Sequence, residues 1–232
     1  MMKGVLFDMD GVVLDSERIG REIYIRKCHE MGYPQMNDEI FVTLLGKTRD
    51  EDRRLMKAAL GEEFPFDEMY DAYREELYTS AMRGELPCKA GVKECFEGLK
   101  ARGIKMALAT STARSMVENY QKYIPEMRDV FDFMVCGAEA GRSKPAPDVF
   151  LKAAEGLGLD IHECIGVEDS VAGLQSQTAA GCVRVLVPDI LPCDERFDGL
   201  WDYCLPTLRE LCGVIDRLNQ EDANAGHPCG AV

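Results

Sequence analysis

Five short apolar runs punctuate the chain: Gly4–Phe7, Ile104–Ala109, Phe133–Cys136, Cys164–Val167 and Val183–Val187. Each reads as a buried parallel strand. Helical patterns separate several of them. Val92, Cys95, Phe96 and Leu99 share one face of a predicted helix over Val92–Ala101, and Gly103 follows as its stop signal. Val149, Phe150, Ala153, Ala154 and Leu157 repeat that spacing over Asp148–Leu157, after the prolines of SKPAPD. A third helix is expected over Ser170–Ala180, between the fourth and fifth runs. Alternating strands and helices predict an α/β fold with a doubly wound parallel sheet and right-handed crossovers.

The segment from Ser16 to Leu86 breaks this rhythm. It has no convincing buried strand, yet Glu, Arg, Met, Leu and Tyr recur at helical spacing, interrupted at Gly32-Tyr33-Pro34, Gly61 and Phe64-Pro65. An all-helical insertion is therefore expected over 16–86, within a core formed by 1–15 and 87–217. Residues 218–232 lack periodicity and are expected to form a flexible tail. No internal repeat is evident.

Composition narrows the function. The 232 residues include 41 acidic against 27 basic, a formal charge of −14, which excludes the basic footprint that nucleic acid requires. A hydrophobic fraction of 46% supplies ample core, so the bulk of the chain is not disordered. The N-terminus has neither the uninterrupted apolar stretch nor the cleavage site of a signal peptide, and no run approaches the roughly 18–20 apolar residues of a membrane span. A cytoplasmic location without membrane partners is expected, as a monomer or weak dimer. The ten cysteines include no C-x-x-C pair, so reduced thiols are expected rather than a disulfide framework or a zinc site.

Four motifs carry candidate chemistry. Asp8 and Asp10 close the first strand next to Gly11, where an open α/β sheet binds its ligands, and two such carboxylates suit a divalent cation and acid/base work. Alone, the same residues are equally a solvated turn. Thr110-Ser111-Thr112 follows the second run and offers hydroxyls and backbone N–H groups to a phosphoryl oxygen, or merely caps a helix. Lys144, just before two prolines, offers an ammonium where most lysines are only solvated. Glu168 and Asp169 close the fourth run. All four would converge on one edge of the sheet.

In order and spacing, DMDGV, AT followed by ST, SKPAPD and GVEDS resemble the four motifs of the haloacid dehalogenase superfamily, over about residues 1–215. The resemblance implies a Rossmann-like core, with the insertion as the family's helical cap. It implies that Asp8 is the nucleophile forming an aspartyl-phosphate and Asp10 the general acid/base. Thr110 would bind the transferring phosphoryl group, with Ser111 beside it, and Lys144 would neutralise it. Asp8, the Asp10 backbone carbonyl and Asp169 would hold Mg²⁺, with Glu168 either a ligand or a partner of the ligands. The second aspartate, Asp10, sets the chain apart from the true dehalogenases, which lack it. In the cap, Leu45-Gly46-Lys47-Thr48-Arg49 resembles the specificity loop of β-phosphoglucomutase-like members, which makes Gly46, Arg49 and, further on, Arg74 candidates for substrate contacts; the arginines are equally ordinary exposed ones. Those mutases carry a histidine where this chain has Gly20. The expectation is therefore a Mg²⁺-dependent phosphatase acting on a small phosphorylated metabolite such as a sugar phosphate. A phosphoglucomutase-type transferase and a catalytically silent binding protein are the alternatives.

Overall fold

The computed structural model describes residues 1–45 and 47–225. Six strands alternate with nine α-helices among the described residues: β1 (Gly4–Phe7), α1 (Ser16–Glu30), α2 (Asp38–Val42), α3 (Arg49–Leu60), α4 (Phe66–Met82), α5 (Val92–Ala101), β2 (Lys105–Thr110), α6 (Arg114–Tyr123), β3 (Phe133–Cys136), α7 (Asp148–Leu157), β4 (Cys164–Glu168), α8 (Val171–Ala180), β5 (Val183–Leu186), β6 (Tyr203–Cys204) and α9 (Leu211–Ala225). No described helix is long and apolar enough to cross a membrane.

The sheet order is β3-β2-β1-β4-β5-β6, and every neighbouring pair is parallel. The chain winds outward from β1 through β2 and β3, then crosses back to β4 on the other side of β1, so the topological switch point falls between β1 and β4. Register pairs Phe7 with both Leu108 and Val167, which aligns the carboxyl ends of the three central strands. Alternation along β1 divides the core. Val5 and Phe7 pack with Phe96 and Leu99 of α5, Val117 of α6 and Leu211 of α9, whereas Leu6 faces Phe150, Ala153 and Leu157 of α7.

The four helices from α1 to α4 contain no strand and build a core of their own, in which Tyr24, Phe41, Met56, Phe64 and Phe66 are buried together. The break expected at 32–34 separates α1 from α2 and those at 61 and 64–65 separate α3 from α4, whereas the α2–α3 junction is not among those expected. The chain enters and leaves this bundle by two adjacent segments: the Asp15 N–H donates to the Pro87 carbonyl, and the Lys89 N–H to that of Val13, both at 2.9 Å.

Three elements differ from expectation. The two residues of β6 are too few to show a period. In α6 only Val117 and Tyr120 are buried, with Met116 partly covered, and most of the remaining positions are polar, which leaves too short an apolar stripe to read. The expected flexible tail from residue 218 is instead helical as far as Ala225, and residues 226–232 lie outside the described residues. A clasp explains the extra turns: Met2 N–H donates to Asn219 Oδ1 at 2.5 Å, Asn219 Nδ2 returns a bond to the Met2 carbonyl at 3.3 Å, and the N-terminal ammonium pairs with Asp222.

Phe150 is completely buried in the core face of α7, beside Val149, Ala153, Ala154 and Leu157. Phe150→Ala should lower unfolding free energy by about 3–5 kcal/mol, measured by urea denaturation with an unchanged m-value; a loss below about 1 kcal/mol would show that neighbouring side chains collapse into the space.

Candidate active site

At the switch point the strand ends bring together residues far apart in sequence. The Asp8 N–H donates to the Val167 carbonyl at 3.0 Å, extending the β1–β4 pairing by one step. The chain then turns sharply, with the Leu14 N–H on the Met9 carbonyl and the Gly11 N–H on the Leu14 carbonyl, each at 2.9 Å. Gly11 sits at φ +76°, and a Cβ there would lie 2.2 Å from Asp169 Oδ2. Only glycine satisfies both the backbone angle and the close approach. The turn leaves Asp8 and Asp10 on either side of the buried Met9.

Lys144, in the loop before α7, reaches both central strand ends. Its Nζ donates to Asp8 Oδ1 at 2.7 Å and to Glu168 Oε1 at 2.6 Å, and lies 5.3 Å from the centre of the Phe150 ring. Glu168, the last residue of β4, is wholly buried. Its Oε2 accepts from the Asp169 N–H at 3.2 Å, the Ser170 N–H at 3.3 Å and Ser170 Oγ at 2.9 Å, so both of its oxygens are engaged. Gly173, in the first turn of α8, makes room for it; a Cβ there would overlap the carboxylate at 1.9 Å.

Asp10 faces away from Lys144. Its Oδ1 accepts from Ser16 Oγ at 2.6 Å and its Oδ2 from Thr112 Oγ1 at 2.7 Å, which fixes the carboxyl from two sides. Thr110 ends β2 buried, and its hydroxyl accepts from the Thr112 N–H at 3.0 Å. Thr110, Ser111, Ser143 and Lys144 line a cavity of about 270 Å³.

Electrostatics follow from this crowding. Carboxylate oxygens of Asp8, Glu168 and Asp169 lie within 4.8 Å of one another. Burial raises the Asp8 carboxyl to about 7; Lys144 opposes that rise, while Glu168 and Asp10 add to it. Burial raises Asp169 likewise, helped by Glu17 and Glu168. Burial pulls the Lys144 ammonium down, yet Asp8 and Glu168 together hold it above its ordinary value, so it stays charged. One ammonium among crowded carboxylates leaves a negative excess that a hard, oxygen-seeking divalent cation relieves. The donor set therefore fits Mg²⁺.

The cap candidates fare differently. The Arg49 guanidinium is turned onto α4, donating to Asp67 at 3.1 Å and Asp71 at 2.8 Å and lying 4.6 Å from the centre of the Tyr70 ring. The structure thus does not bring Arg49 to the acidic cluster, because two carboxylates and an aromatic face on the neighbouring helix hold it. Gly46 lies outside the described residues. Arg74 is exposed on α4 without an ion-pair partner among the described residues. A cleft of about 500 Å³ opens beside the acidic cluster, with Glu17, Thr43 and Lys47 on the cap side and Asp169, Ser170 and Arg196 on the core side. Sequence reasoning passed over Ser16, Glu17, Lys47 and Asp189 as site residues. Asp189 follows the fifth apolar run after a single intervening residue, Pro188, whereas Asp8 follows the first run directly.

Geometry and comparison agree on the class of protein. The family model for haloacid dehalogenase-like hydrolases matches residues 5–187, and the chain belongs to that family. It is 30% identical to protein CbbY of Rhodobacter capsulatus over 214 residues, covering 89% of this chain and 94% of that protein. It is 31% identical over 187 residues to the phosphorylated carbohydrates phosphatase of Thermotoga maritima, covering 79% of this chain and 84% of that one. The crystal structure of CbbY from Rhodobacter sphaeroides in complex with phosphate superposes with a TM-score of 0.72 at 25% identity, covering 91% of this chain and 96% of that one.

Removing Lys144 strands two buried carboxylates. Lys144→Met should cost about 3–5 kcal/mol of metal-free stability, and saturating Mg²⁺ should restore part of it in a thermal melt. Gly173→Ala, which displaces Glu168, should cost about 1–3 kcal/mol. A Lys144→Met protein as stable as wild type in the chelator EDTA would contradict the pairing.

Proposed function

We propose that the chain is a Mg²⁺-dependent phosphatase that hydrolyses a small phosphorylated metabolite, such as a sugar phosphate, through an aspartyl-phosphate on Asp8. One observation carries this. Asp8 is held by the Lys144 ammonium at 2.7 Å, while Asp10, two residues on, is held apart from it by Ser16 and Thr112. A nucleophile and an acid/base thus stand on one strand end with separate partners. The Thermotoga maritima relative is named for phosphorylated carbohydrates, and the Rhodobacter sphaeroides structure holds phosphate. Both support the substrate class.

In the first step an Asp8 oxygen attacks phosphorus, the bond to the leaving oxygen breaks, and Asp10 protonates that oxygen. In the second, Asp10 takes a proton from water, the water oxygen attacks phosphorus, and Asp8 is released as a carboxylate. Thr110, Ser111 and Lys144 would hold the phosphoryl oxygens, since they line one cavity. Mg²⁺, held by Asp8, Asp169 and the backbone carbonyl of Asp10, would supply the charge neutralisation that lets a carboxylate approach a phosphate dianion. With both oxygens engaged, Glu168 is assigned to positioning Lys144 rather than to the metal. The rest of the substrate would occupy the cleft between Lys47 and Arg196, with bulk water displaced.

Position 20 weighs against the mutase alternative. A Cβ at Gly20 would lie 3.0 Å from Tyr73 Oη, so Tyr73 occupies the direction in which a histidine there would project.

A panel of phosphorylated metabolites with Mg²⁺ should release phosphate, and Asp8→Asn should abolish release. Asp10→Asn should lower kcat by about 10²–10⁴ while changing the Mg²⁺ dissociation constant little, because the metal contact is assigned to its backbone. Equal losses in both would overturn that division. Sustained glucose 6-phosphate formation from β-glucose 1-phosphate with a bisphosphate activator, with little free phosphate, would overturn the phosphatase assignment.

A further inference from the structure

A second set of carboxylates lies beside the first. Oxygens of Glu17, Asp169 and Asp189 fall within 4.8 Å of one another. These residues come from three places: the first turn of α1, the end of β4 and the loop after β5. Acidic neighbours alone would not make a site, but Asp189 adds an independent observation. Its side chain is only 7% exposed, its Oδ1 pairs with Lys89, and its buried Oδ2 has no hydrogen-bond partner. That orphan oxygen faces the cluster. A Cβ built on Gly11 would lie 3.2 Å from Asp189 Oδ2 and 2.2 Å from Asp169 Oδ2, so both oxygens crowd the same small space over the β1 turn. An unpartnered buried carboxylate oxygen is costly unless a proton or a cation satisfies it.

We infer that Glu17, Asp169 and Asp189 form a second site for a hard divalent cation, distinct from the one assigned to Asp8, Asp169 and the Asp10 carbonyl. The spacing suits such an ion. Oxygens on opposite sides of one ion lie about 4.2 Å apart for Mg²⁺ and about 5 Å for Ca²⁺, and carboxylate oxygens all within 4.8 Å of one another are close enough to share such an ion. The local charge asks for it as well. Lys144 is spent on Asp8 and Glu168, and Lys89 serves both Asp189 and, at 3.8 Å, Asp15. Asp169 belongs to both carboxylate sets, so two ions would be adjacent and share it. Glu17 lies on the first helix of the cap, whereas Asp169 and Asp189 lie at the sheet edge, so this ion ties the cap's entry helix to the core beside the substrate cleft.

The inference rests on the metal assignment at Asp8 but not on the phosphatase reaction, and ion counting separates the two. The full chain is titrated with Mn²⁺ by calorimetry at 0.15 M ionic strength, where diffuse attraction to the net charge is screened over about 8 Å. Electron paramagnetic resonance then follows the bound ions. The expected result is two Mn²⁺ per chain with a spin-coupled spectrum. Asp189→Asn and Glu17→Gln should each retain one ion, lose the coupling and weaken the second ion at least tenfold. Glu17 is only partly buried, so Glu17→Gln carries the test if Asp189→Asn fails to fold by circular dichroism. One Mn²⁺ per wild-type chain would overturn the site and leave a proton shared between Asp169 and Asp189 as the explanation. Two coupled ions surviving Glu17→Gln and any folded Asp189→Asn would also overturn it. Phosphate release with a single bound ion would refute this site alone, whereas two ions without phosphate release would refute the phosphatase assignment alone.

Discussion

The Lys144 ammonium, bonded at once to Asp8 and Glu168, is the contact on which the site depends. Parallel pairing of β1 with β4 delivers two acidic strand ends to the same place, and burial makes their mutual repulsion expensive. A cation arriving from a third element, the loop before α7, allows them to coexist. Around this contact the smaller features fall into order: Phe150 lies beneath the ammonium, Gly173 leaves space for Glu168, and Gly11 lets the β1 turn pass against Asp169.

That constraint also accounts for the separation of Asp8 from Asp10. Successive residues at a strand end point in different directions, so two carboxylates two residues apart meet different partners once the chain turns between them. Asp8 is drawn to Lys144, whereas Asp10 is drawn to the hydroxyls of Ser16 and Thr112. Ser16 opens the cap's first helix, so the candidate acid/base group is set partly by the inserted segment. The inserted helical segment therefore reaches the candidate site at its entry point as well as across the cleft.

The core was legible because its signals are local. Five apolar runs mark β1 to β5, and the predicted helices over Val92–Ala101 and Asp148–Leu157 coincide with α5 and α7. The strand-end acids were legible because each ends such a run. What escaped depends on partners distant in sequence. Arg49 has the composition of an anion-binding residue, and only the packing of α3 against α4 shows that Asp67, Asp71 and Tyr70 hold it. Likewise α9 carries no large apolar residue beyond Leu218, and its last turns depend on Asn219 meeting Met2, more than two hundred residues away. Glu17 reads as an ordinary first-turn acid until the sheet brings Asp169 and Asp189 beside it. The overall charge of −14 says little about the site by comparison, because the Lys144 ammonium sets the local field between Asp8 and Glu168.

The proposed phosphatase reaction requires that Asp8, held by Lys144, become covalently phosphorylated. Acid-quenching the protein during Mg²⁺-supported turnover of p-nitrophenyl phosphate, then treating it with hydroxylamine and digesting it for mass spectrometry, tests this directly. A hydroxamate at Asp8 that forms only when substrate is present is the expected result. Rapid phosphate release with Asp8 recovered unmodified throughout would contradict it.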